Sequence, residues 1–72
     1  MVQVIIDEKV RHGKPIIEGT RIAVEEVLDM LAAGMTYEEI KREYGLTKKQ
    51  ILTAIGYASS FVHGEVVHPI PA

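Results

Sequence analysis

Hydrophobic residues recur with two different periods along this chain, and the change falls near residue 24. Val2, Val4 and Ile6 alternate with Gln3 and, together with Ile5, form a β-branched run that predicts a strand over residues 2–6. Gly13 and Pro15 punctuate Arg11-His12-Gly13-Lys14-Pro15, and proline disfavours helix in the residue before it, so this stretch reads as a loop. Residues 16–22 predict a short hairpin or bend turning at Glu18-Gly19.

From Val24 the period becomes helical. Val24, Val27, Leu28 and Leu31 fall at i, i+3, i+4 and i+7, which predicts an amphipathic helix over 24–33. Glu25 and Glu26 sit in its first turn, where the helix dipole favours negative charge, and Gly34 stops it. Thr36 and Glu39 have the spacing of a capping box and open a short helix with Tyr37, Ile40 and Tyr44 on one face, ended by Gly45. Thr47 and Gln50 repeat the box. The helix they open runs to 62, with Ile51, Ile55, Ala58 and Val62 in one apolar stripe, widened by Leu52, Ala54 and Phe61.

The expected fold is therefore mainly α: a small three-helix bundle with a helix-turn-helix, homeodomain-like or winged-helix-like, preceded by short N-terminal β-strands. Residues 1–62 form the one domain, with 63–72 as an extended tail. Leu46 is the residue expected to fill the corner where the second and third helices cross. In a DNA-binding helix-turn-helix the second helix of the pair offers its first turns to the major groove. That places Lys48 and Lys49 on phosphates or guanine edges, Gln50 and Thr53 on base edges, and Tyr57 on the flank. Both lysines lie at the unfavourable end of the helix dipole, and on a purely structural reading they are simply solvated.

Composition changes this picture in three ways. A chain of 72 residues buries only about 60% of the surface its unfolded form exposes. With no cysteine, disulfides and thiolate zinc sites are excluded, so a homodimer is the expected remedy, and Gly56 among Ala54, Ala58, Ser59 and Ser60 gives a small-residue surface for it. The formal net charge of -2 offers no global attraction to nucleic acid, yet it hides two basic blocks. Residues 9–21 carry +3 (Lys9, Arg11, Lys14 and Arg21 against Glu18), and 41–49 carry +3 (Lys41, Arg42, Lys48 and Lys49 against Glu43). Lys14 and Arg21 form either a basic patch for DNA backbone or a partner, or structural ion pairs, Arg21 with Glu25 being the natural one. Finally, no apolar run approaches the roughly twenty residues of a membrane span, and no export signal opens the chain, so a cytoplasmic protein with no membrane association is expected.

Catalysis is not expected. Gly13-Lys14 lacks the glycine and hydroxyl residues of a phosphate loop, and Ser59-Ser60 has no nucleophile-elbow context. His63, Glu65 and His68 match no known zinc spacing, so neither a metal nor another cofactor is expected.

Gly13-Lys14-Pro15-Ile16-Ile17-Glu18-Gly19-Thr20-Arg21-Ile22-Ala23-Val24 resembles the opening signature of domain-of-unknown-function family 433. Residues 31–40, Tyr44, Leu46-Thr47 and Ile51 through Ala58 continue the pattern, so the likeness covers residues 4–62. That family is similar to VapB-type antitoxins. The resemblance implies a helix-turn-helix regulator of a toxin–antitoxin operon, partnered by a PIN-domain ribonuclease toxin. Its DNA-reading positions carry over only onto Lys48, Lys49 and Thr53. One departure stands out: antitoxins of this kind commonly inhibit through a basic C-terminal segment, and this chain has no Lys or Arg after Lys49. The alternative is a protein-interaction module that binds such a nuclease without DNA, its N-terminal β segment and tail acting by strand addition.

Overall fold

The computed structural model describes residues 2–62, 70 and 71. It consists of β1 (Val4–Ile6), a single 3-10 turn (Arg11–Gly13), β2 (Ile16–Ile17), α1 (Val24–Ala32), α2 (Tyr37–Tyr44), α3 (Lys48–Val62) and β3 (Ile70–Pro71). The sheet has the order β2-β1-β3, with β1 antiparallel to β2 (Val4 opposite Ile17) and parallel to β3 (Ile5 opposite Ile70). Both neighbours of β1 are thus strands of the same chain. Most of the tail, with His63, Glu65 and His68, lies outside the described residues.

The bend at Glu18-Gly19 forms as the sequence indicates. Ile17 C=O accepts from Thr20 N–H at 3.0 Å, Gly19 takes φ +81°, and Ile17 N–H donates to Ile22 C=O at 3.0 Å. Before it, Arg11 and His12 adopt left-handed φ of +54° and +56° in a tight turn, which is strained backbone for residues with a Cβ.

α1 ends in the paired bonds of a Schellman motif, Met35 N–H to Met30 C=O and Gly34 N–H to Leu31 C=O. Both capping boxes close: Thr36 Oγ1 accepts from Glu39 N–H at 3.1 Å and Glu39 Oε1 from Thr36 N–H at 3.0 Å. In the second, Gln50 Oε1 accepts from Thr47 N–H at 2.8 Å and Thr47 Oγ1 from Gln50 N–H at 3.2 Å. Between them, Gly45 takes φ +73°, a conformation that L side chains resist, and so ends α2 sharply enough for α3 to start at Lys48.

The core joins Val4 and Ile17 of the sheet, Val24 and Val27 of α1, Ile40 of α2, Leu46 of the turn, and Ile51 and Ala54 of α3. α3 packs mainly on α1 and also touches α2 and both N-terminal strands. The apolar stripe of α3 is narrower than its composition suggests. Leu52 is 46% exposed and Val62 85%. At about 100° per residue Leu52 lies well round the helix from buried Ile51, and α3 has fifteen residues against the nine of α1. No described helix is long and apolar enough to cross a membrane.

Two substitutions separate what the monomer needs from what it does not. Leu46→Ala empties a fully buried site and is expected to cost about 2–5 kcal/mol in urea unfolding. A Cβ at Gly56 would meet nothing within 4 Å among the described residues. Gly56→Ala is therefore expected to stabilise the chain by up to about 1 kcal/mol, raising Tm by roughly 4–8 °C.

Candidate nucleic-acid interface

The corner is Gly45-Leu46-Thr47, with the buried leucine pulling the two helix ends together. Tyr37 and Lys48 each follow a capping threonine, and the corner brings these two first positions side by side. Lys48 Nζ lies 5.9 Å from the centre of the Tyr37 ring, within reach of a cation–π attraction. Thr36, Tyr37, Glu38, Lys41, Thr47 and Lys48 line a cleft of about 480 Å³ between the start of α2 and the start of α3. Tyr37 and Lys41 were not singled out from the sequence. The signal for them was the repeated cap, which makes residues 37 and 48 equivalent.

Lys48 and Lys49 are exposed at the tip of α3, as the sequence reading places them. The other three named positions have different surroundings. Gln50 is half-buried and commits its carbonyl oxygen to the cap, leaving only its amide N–H groups for other partners. Thr53 Oγ1 donates to Lys49 C=O at 2.8 Å, so its hydroxyl proton belongs to the helix backbone. Thr53 and Tyr57 line a groove of about 260 Å³ with Val2, Val4, Gly56 and Ile70, between α3 and the sheet. Burial there pushes the Tyr57 phenol pKa upward, and its ring meets Phe61 edge-on with centroids 5.1 Å apart.

The two basic blocks are used differently. In the first, Lys14 Nζ bonds the Glu25 carboxylate, and the Arg11 guanidinium lies 3.0 Å from Glu26 Oε1. Glu26 also accepts from Ala23 N–H at 2.9 Å, so its carboxylate joins the left-handed turn to the start of α1. Lys14, not Arg21, is the cation that holds Glu25, while Arg21 is exposed and makes no ion pair among the described residues. In the second block Lys41, Arg42, Lys48 and Lys49 are all exposed and likewise make no ion pair among the described residues. No group of three His, Cys, Asp or Glu side chains able to hold a metal occurs among the described residues.

Two glutamates tie this construction to pH. The Lys14 ammonium, by hydrogen bond and then by charge, holds the Glu25 carboxyl below the ordinary glutamate value, and the Thr36 N–H and hydroxyl do the same for Glu39. Groups depressed in the folded state contribute stability above their unfolded pKa and lose it as pH falls through the folded one. Tm is therefore expected to drop as pH is lowered from about 4.3, and Glu39→Gln, which keeps an acceptor for Thr36 N–H, to flatten part of that drop in a pH series of thermal melts.

No solved structure matches the chain. It is similar to a candidate antitoxin of Mycobacterium tuberculosis, VapB45, with 33% identity over 52 residues, 72% of this chain and 22% of that protein. It thus spans about a fifth of that relative's length. Residues 4–58 match the family described as protein of unknown function DUF433, and with three quarters of its length inside that match the chain belongs to the DUF433 family.

Proposed function

We propose that the chain is the DNA-binding unit of an antitoxin-type regulator in a toxin–antitoxin system, acting without catalysis and as a homodimer. The observation that carries this reading is the division between the two basic blocks. Arg11 and Lys14 are bound to glutamates of α1, whereas Lys41, Arg42, Lys48 and Lys49 stand exposed at the α2–α3 corner with no ion pair among the described residues. Two lysines in the first turn of α3 oppose its dipole by about 0.3–1 kcal/mol each, a cost that a phosphate oxygen removes. With the corner against the duplex, Lys41 and Lys48 take the backbone on one side and Lys49 on the other. The start of α3 then faces the major groove, where Gln50 donates its amide N–H groups. A two-fold pair would present one such corner to each half-site. The likeness to a candidate antitoxin supports the toxin–antitoxin setting, with a PIN-domain nuclease as the toxin.

A second reading has its own observation. The apolar groove of Val2, Val4, Gly56, Tyr57 and Ile70 suits a protein partner better than a polyanion, and in that reading the chain binds the nuclease without DNA.

Salt separates the two. Affinity for duplex DNA from the chain's own upstream region is expected to fall steeply with salt. Lys48→Ala and Lys49→Ala should each lower the log–log slope by about one. If the purified protein shifts no such duplex at low salt, the DNA reading fails. Copurification of a nuclease that survives Lys49→Ala would then favour the second.

A further inference from the structure

Leu52 is an apolar side chain on the face of α3 where solvation favours a polar one. It is 46% exposed, and it stands one turn beyond the two exposed lysines, four residues from Lys48 and three from Lys49. With Lys49, Thr53 and Val2 it lines a depression of about 400 Å³ between α3 and the N-terminal segment. Because the Thr53 hydroxyl donates to Lys49 C=O, Thr53 offers this depression a methyl group and no free donor. Gly56, one turn further on in the adjoining groove, has no side chain to hold the helix away from whatever approaches, and nothing within 4 Å among the described residues requires a glycine there. The surface therefore has Lys49 at its rim and a small apolar floor, with no acidic side chain among the described residues of its lining.

We infer that Leu52, seconded by the Thr53 methyl, is a specificity-determining contact to the C5-methyl of thymine in the major groove. The inference rests on the DNA reading above and deepens it. Thymine is the base whose major-groove edge carries a methyl group, and an A·T step flanked by phosphates matches an apolar floor with a cationic rim. Leu52, and not Gln50 with its carbonyl tied into the cap, then sets the main base preference.

The test begins with duplexes selected by the wild-type chain from a random library and then resynthesised with deoxyuridine at each thymine in turn. Removing the contacted methyl is expected to weaken wild-type binding about fourfold, the equivalent of one buried methyl. Leu52→Ala should bind the thymine and uracil duplexes equally. Its exposure predicts an unchanged fold, which circular dichroism melts would verify, and Thr53→Val should keep the discrimination. Selection that enriches no duplex sinks the DNA reading and this inference with it. Enrichment with no sensitivity to uracil at any position, or discrimination that persists in Leu52→Ala, overturns the assignment of Leu52 alone. So does a Leu52→Ala chain that keeps its DNA affinity but loses a copurifying protein.

Discussion

Leu46 sits in a three-residue turn and yet is completely buried, and the placement of α2 depends on it. α2 has a single buried residue of its own, Ile40, too little apolar surface to hold an eight-residue helix against the core. Leu46 supplies the second anchor immediately after the helix ends. Its neighbours make this geometry affordable: Gly45 reverses the chain through a left-handed φ, and Thr47 satisfies the first amide groups of α3. Remove the leucine and α2 retains one apolar contact point, so its orientation relative to α3 is no longer determined. The cleft that pairs Tyr37 with Lys48 would go with it.

The same corner determines where charge is left available. The chain uses most of its short-range electrostatics to attach the N-terminal segment, since Arg11 and Lys14 both end on carboxylates in the first turn of α1. Exposed pairs of this kind contribute little stability, about 0–1 kcal/mol each, but they engage two of the four cations of the first basic block, Arg11 and Lys14, and leave Lys9 and Arg21 exposed. The block at 41–49 has acidic neighbours too, Glu38 within the cleft and Glu43 on α2, yet among the described residues none is close enough to Lys48 or Lys49 to pair. Two adjacent exposed cations, Lys48 and Lys49, thus stand at the start of its longest helix.

Much of this was legible in the sequence where the governing physics is local. A capping box is a rule about residues three apart, and both boxes closed as their spacing indicated, fixing the starts of α2 and α3. Glu18-Gly19 turned where a glycine permitted it. Non-local pairings were not legible. Residues 5 and 70 meet in a parallel ladder that no periodicity announces, and the partner of Glu25 turned out to be Lys14, eleven residues away, where Arg21 had the nearer position. The reading of α3 failed at Leu52 for a related reason. Its apolar stripe was drawn from composition, but the width of the buried face is set by the size of α1 and the sheet, and those cover only the side bearing Ile51 and Ala54. Thr53 lies in the second turn of α3, and the direction of its hydroxyl depends on the carbonyl four residues back.

Net charge is the weakest guide to what this molecule binds. Its extent is 29 × 29 × 22 Å, and at physiological ionic strength charges are screened over about 8 Å. An approaching polyanion therefore responds to the face within one Debye length and hardly at all to the sum over the chain. At the α2–α3 corner Lys41 and Lys48 line one cleft with Glu38, and Lys49 stands exposed beside Lys48. The acidic residues that bring the total to -2 include Glu25 and Glu26, which are already occupied by cations of their own. A small acidic protein can thus keep a cationic edge while other basic residues, here Arg11 and Lys14, are held by carboxylates. The left-handed turn at Arg11 and His12 contributes to this, because it carries the Arg11 guanidinium to Glu26 and so spends on folding the charge that would otherwise compete with the corner for an anion.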